Sequence, residues 1–179
     1  MSINTFCKFH AICIIPKYKI KCLKNKSSRL MPNKWQLILM SEGSLTKNLN
    51  YLTSKITKIG VLQQKNSKNQ VINRTIRCVW LETCIYTKLT FARSLWILIN
   101  TNKPYNLINP NKPIGSSFIE YKIDTYKDIH EVYYGYCQNL EKNFPFPKTI
   151  WGRKYTLYYA NKSSVIIQEF FSPYITYFF

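Results

Sequence analysis

Acidic residues are scarce in this 179-residue chain: eight Asp and Glu stand against 26 Lys and Arg, a formal charge of +18. Arginine is scarce too, with five: Arg29, Arg74, Arg77, Arg93 and Arg153. A planar two-point grip on an anion needs a guanidinium, so each of these five is informative where lysine is abundant. Histidine occurs twice, at His10 and His130. The six cysteines (Cys7, Cys13, Cys22, Cys78, Cys84 and Cys137) form no CxxC pair and no zinc spacing. These absences argue against a metal centre and fit reduced thiols in an intracellular or organellar compartment. No apolar run approaches the roughly 20 residues of a membrane span. A Gly-rich phosphate loop and internal repeats are also missing, which argues against a phosphate-loop site and a solenoid.

What is present is a globule-forming composition, 46% hydrophobic and 16% aromatic, at a length that suits one domain. The basic excess would ordinarily point to nucleic acid or an anionic membrane surface. Here it is mostly Lys, accompanied by abundant Asn and Ile, as an AT-rich coding sequence produces. The one dense block, Lys17 to Lys26, is not interleaved with aromatics as single-strand binders are. An RNA-binding reading therefore rests on charge alone, and no specific nucleic-acid partner is expected. Its signature would be a steep loss of affinity with salt.

Residues 1–31 are basic and free of acid, with one short apolar run from Ala11 to Ile15. They read either as a targeting segment or as an edge strand and loop of the domain. Residues 32–179 read as a single domain. Asn33 and Ser44 are placed to cap two helices, the second carrying Leu45, Leu49 and Leu52 on one face. A strand over Ile56 to Gln64, a polar loop over Lys65 to Asn73, and a hairpin from Thr75 to Ile99 follow. In that hairpin Arg77 shares a face with Val79 and Leu81, and Arg93 with Phe91, Leu95 and Ile97. The Asn- and Pro-rich stretch from Thr101 to Gly115 is long enough for a lid. Asp124 is expected to open an amphipathic helix, with Ile129, Val132, Tyr133, Tyr136 and Leu140 as its stripe.

The last hairpin carries the most pointed signal. Lys154 to Ala160 and Val165 to Phe171 are strands rich in aromatic and β-branched residues, with turn chemistry between them. Strand alternation places Glu169 beside Val165, Ile167 and Phe171, in an apolar wall where a carboxylate needs a charged or hydrogen-bonding partner. Arg77 and Arg93 are either ligand-binding cations or structural partners of Glu82, Glu120 or Glu169. Arg153 reads as a hairpin ion pair or a surface charge, and Trp151 as core.

In order and spacing, Ser44-Leu45-Thr46, Ile76-Arg77-Cys78-Val79-Trp80-Leu81, Phe91-Ala92-Arg93-Ser94, Pro113-Ile114-Gly115, Trp151-Gly152-Arg153 and Gln168-Glu169-Phe170-Phe171-Ser172-Pro173 resemble the chorismate pyruvate-lyase family, in its plastid-encoded and cyanobacterial branch. The resemblance spans about Trp35 to Pro173. It implies an α+β fold: an antiparallel β-sheet with helices packed against it and an internal ligand cavity closed by helical flaps. It also implies pyruvate elimination from chorismate to give 4-hydroxybenzoate for quinone synthesis, with no metal or organic cofactor, in a plastid. Arg77 matches the family residue that holds the ring carboxylate, and Glu169 the acid at the 4-hydroxyl end. Leu45 and Ile114 match pocket-closing positions where the bacterial enzymes have Met and Leu, mild apolar exchanges. Chorismate is a dianion, so Arg93 on the adjacent strand is expected to hold the second carboxylate. The expected partner is a small-molecule substrate and the expected state a monomer. The alternative is a non-catalytic domain of the same fold that binds small aromatic carboxylates.

Overall fold

A computed structural model describes residues 8–22, 31–68, 72–83, 87–99, 112–144, 148–159 and 163–179. Its centre is a seven-stranded, fully antiparallel sheet. The strands are β1 (His10–Pro16), β2 (Lys58–Lys68), β3 (Ile72–Glu82), β4 (Lys88–Ile99), β5 (Thr125–Tyr136), β6 (Ile150–Tyr159) and β7 (Ser163–Phe171). The described helices are α1 (Lys17–Cys22), α2 (Asn33–Leu39), α3 (Leu45–Thr53), α4 (Ile114–Glu120) and α5 (Gln138–Glu141), with a 3-10 turn at Pro173–Phe178. This is the α+β arrangement expected from the sequence.

Two meanders, β2-β3-β4 and β5-β6-β7, are zipped together where β4 pairs with β7, giving the order β1-β5-β6-β7-β4-β3-β2. Arg77 pairs with Ser94, Ala92 with Glu169, and Glu169 with Arg153. Directly opposed residues project to the same side of an antiparallel sheet. Register alone thus brings Arg77, Glu169 and Arg153, from three different strands, to one face.

That face is covered by α2, α3 and α4. Near one end Trp35, Leu39, Leu49, Val132, Trp151 and Phe171 form a buried cluster; near the other Trp96, Phe118, Tyr159 and Val165 do. The opposite face packs Cys78, Trp80, Phe91, Tyr133 and Phe170 under Phe9, Leu140 and Phe144. Each face therefore has its own core, which explains why both sides of the β3 pattern are apolar. Trp151 is core, as its sequence context indicates. Gly152 lets the two terminal strands approach: a Cβ there would lie 2.7 Å from the Glu169 carbonyl oxygen and 2.8 Å from the Phe170 ring.

Two sequence expectations are corrected. The amphipathic helix expected from Asp124 is strand β5, flanked by β1 and β6. The register of β5 shifts between Ile129 and Glu131, so the cavity-side residues are Lys127, Ile129, Val132 and Tyr134, opposite Leu157, Tyr155, Arg153 and Trp151. The three-residue step across that bulge imitates helical spacing. Thr, Ile, Val and Tyr are also better suited to a pleated strand than to a helix. Secondly, the polar loop expected at residues 65–73 is mostly ladder, with Lys65 opposite Ile76 and Lys68 opposite Asn73. Ladder pairing uses backbone groups, so a polar run extends a strand wherever its neighbour extends too. The acid-free N-terminal stretch supplies β1, the edge strand beside β5. Most of the lid expected at Thr101 to Gly115 lies outside the described residues.

Candidate active site

Between the helix layer and the middle of the sheet lies a cavity of about 330 Å³, within the usual size range of small-molecule sites, about 300–1,000 Å³. Its floor includes Arg77, Val79, Ser94, Tyr155, Ile167 and Glu169; Ser44, Leu45, Ile114, Gly115 and Phe118 roof it. Leu45 is the first residue of α3 and Ile114 the first of α4, so the two helix starts meet above the floor. Gly115 makes that meeting possible, because a Cβ there would lie 2.8 Å from Ser44 Oγ. Ser44 stands at the N-cap position of α3, yet its hydroxyl makes no capping bond and is buried against the cavity.

Glu169 is 4% exposed, and both of its oxygens are engaged. Arg153 Nε donates to Oε2 at 2.7 Å, and the Tyr155 hydroxyl donates to Oε1 at 2.8 Å. Arg153 is fully buried. Its Nη1 donates to the carbonyls of Ile38 (2.8 Å), Leu39 (3.1 Å) and Ser41 (3.0 Å) at the end of α2. A guanidinium there satisfies carbonyls that the helix leaves unpaired. It also ties the roof-bearing segment to the sheet. Burial, and then the Glu169 charge, push the Tyr155 phenol well above its ordinary pKa, so it stays a donor.

Arg77, 4% exposed, projects from β3 into the same cavity, and its Nη2 donates to the Lys112 carbonyl at 3.2 Å. Lys112 in turn pairs with Glu120 on the surface. Glu169 is thus met by Arg153 across the β6–β7 hairpin: of the two sequence expectations for Arg153, the hairpin ion pair holds and the surface charge does not.

Of the five candidate residues, Arg77, Glu169, Leu45 and Ile114 line one cavity. Arg93 does not join them. It pairs with Cys78 and Gln168, and its neighbours Ala92 and Ser94 line the cavity, so Arg93 lies on the opposite face. Adjacent strands alone suggested a double clamp; the direct opposition of Arg77 to Ser94, one residue out of phase with Arg93, rules it out.

The sequence reading missed Lys127. From β5 it lines the cavity, donating to the carbonyls of Gly43 (2.8 Å) and Ser41 (3.2 Å) with Nζ 4.9 Å from the centre of the Tyr155 ring. Burial, and then the Arg153 charge, lower its pKa to about 8. Read as a strand, the run Lys127, Ile129 would have aligned this lysine with the cavity; read as a helix, it did not.

A family model for the Rv2949c-like chorismate pyruvate-lyases matches residues 39–179. The chain belongs to that family. Its relatives include the uncharacterized ycf21 protein of Antithamnion sp., 45% identical over 84% of each chain. The ycf21 protein of Porphyra purpurea is 37% identical over 86% of this chain and 94% of its own. These relatives are encoded on plastid genomes, and this protein is a plastid protein. Among solved structures, the effector domain of PhnF from Mycobacterium smegmatis superposes with a TM-score of 0.51 at 8% identity, over 73% of this chain and 89% of that one. That likeness concerns the fold. No helix among the described residues is long and apolar enough to cross a membrane.

Proposed function

We propose that this family member is an active chorismate lyase, releasing pyruvate from chorismate to leave 4-hydroxybenzoate for quinone synthesis. One observation carries the reading: Arg77 and Glu169, a cation and an acid from separate strands, face one small, largely apolar cavity. In the reaction the C3–O bond breaks, C4 gives up a proton whose bonding pair makes the ring aromatic, and the departing enolpyruvyl group takes up a proton at its methylene carbon to become pyruvate. Nothing is oxidised by an outside agent and no water is consumed, so aromatisation supplies the driving force. The protein's task is to hold the enolpyruvyl group over the C4 hydrogen in a dry site.

In this reading Arg77 grips the ring carboxylate with its two-pronged guanidinium. Glu169, pinned by Arg153 and Tyr155, retains lone pairs for the substrate's C4 hydroxyl. Leu45 and Ile114 close the roof over the ring.

Purified protein incubated with chorismate should release pyruvate and 4-hydroxybenzoate in equal amounts. Absence of both products in a folded preparation that binds 4-hydroxybenzoate would favour a binding domain instead. The activity should also survive exhaustive chelation and thiol alkylation under native conditions. Cys78 and Cys137 are buried among aromatic rings, and burial raises the Cys78 pKa, leaving it a weak nucleophile. Inactivation by a chelator, reversed by one divalent ion, would point to different chemistry.

A further inference from the structure

A dianion with well-separated carboxylates needs two cationic ends, and Arg77 can occupy only one. We infer that Lys127 is the second anion-binding residue of the cavity, taking the carboxylate of the three-carbon unit that leaves as pyruvate; this rests on the lyase reading above.

Lys127 and Arg77 line the same cavity from strands on opposite sides of Glu169. Four strand spacings separate β5 from β3, roughly 19 Å between backbones, and two long side chains narrow that span from either end. An ammonium carries three donors. Two of those on Lys127 are committed to the Ser41 and Gly43 carbonyls, and no third acceptor meets it among the described residues. Those carbonyls hold Nζ at the cavity wall, over the ring whose hydroxyl holds Glu169. The charged groups facing it are Glu42 from the α2–α3 connection, Arg153 from β6 and Glu169 from β7, with Tyr155 beneath. Arg153 disfavours the lysine's charge and the two carboxylates favour it. An arriving carboxylate would therefore bind the protonated form and stabilise it.

This placement distinguishes substrate from product. Chorismate carries the second carboxylate and 4-hydroxybenzoate does not, so Lys127 should hold the one and scarcely affect the other. A lysine that merely braces the Ser41–Gly43 segment would influence both ligands equally.

The test compares the wild type with Lys127→Gln and Lys127→Arg. Chorismate affinity is read as KM from turnover, or as Kd by calorimetry if the wild type does not turn it over; 4-hydroxybenzoate affinity is read by calorimetry. In Lys127→Gln, chorismate should bind about tenfold more weakly or worse, while 4-hydroxybenzoate changes less than about twofold. Lys127→Arg should recover most of the loss. Wild-type affinity for chorismate should weaken as pH rises above about 8, where free Lys127 loses its charge, and this step should vanish in Lys127→Gln. Equal weakening of the two ligands, or no change in either, overturns the inference. Chorismate that binds with this selectivity but is not turned over overturns the lyase reading alone. A wild type that binds neither ligand overturns both.

Discussion

Arg77→Lys should lower kcat/KM for chorismate nearly as far as Arg77→Ala, by about 10²- to 10³-fold in each case. The arginine is 4% exposed and aimed into the cavity, with one nitrogen of its fork already held by the Lys112 carbonyl. A planar guanidinium can meet a carboxylate at two points; an ammonium offers a single charge with no fixed plane. Truncating one partner of a buried, hydrogen-bonded charge pair costs roughly 2–5 kcal/mol, which is the source of the expected factor. Because the Lys112 carbonyl needs only one donor, Arg77→Lys should retain most of the thermal stability. Retention of most wild-type efficiency by Arg77→Lys would remove the carboxylate clamp from this residue.

Glu169 substitutions should have the second large effect, on stability as well as on activity. In Glu169→Ala, Arg153 stays fully buried without its carboxylate partner and the Tyr155 hydroxyl loses its acceptor. Breaking a buried pair from one side costs about 3–5 kcal/mol. At this chain length that lowers Tm by roughly 6–20 °C. Thermal unfolding by circular dichroism checks this, and ligand work on the variant belongs well below its new midpoint. Glu169→Gln keeps the shape and one carbonyl acceptor and should be less damaged. If Glu169 positions the C4 hydroxyl, activity should fall moderately for Gln and further for Ala, with 4-hydroxybenzoate affinity falling in both. A general base should instead give large, similar losses, typically ~10²–10⁴-fold. The first pattern is expected, since aromatisation already favours departure of the C4 hydrogen. Unchanged 4-hydroxybenzoate affinity in folded Glu169→Ala would take the residue out of the pocket.

Local patterns carried the central strands well. Alternation placed Glu169 with Val165, Ile167 and Phe171, and these are indeed buried together on the cavity side of β7. The same rule put Arg77 with Val79 and Leu81, which line the cavity beside it. It failed at β5, where a single bulge breaks the two-residue period and lends a strand the spacing of a helix. Lys127 was lost with that misreading.

Arg93 and Arg153 mark the boundary between what the chain and the fold each decide. By itself, the sequence determined the α+β class, the plastid chorismate-lyase-like family and the faces of β3, β4 and β7, because side-chain period and motif order are local properties. It could not determine which faces meet. Whether Arg93 joins Arg77 depends on the register between β3 and β4, and one residue of phase sends it to the far side of the sheet. Whether Arg153 is a surface charge or the partner of Glu169 depends on the end of α2 arriving over β6 with three carbonyls to offer. The residues concerned lie more than 110 positions apart in the chain. Only tertiary packing brings such groups into one low-dielectric space, where an arginine becomes a buried strut and a lysine becomes a cavity wall.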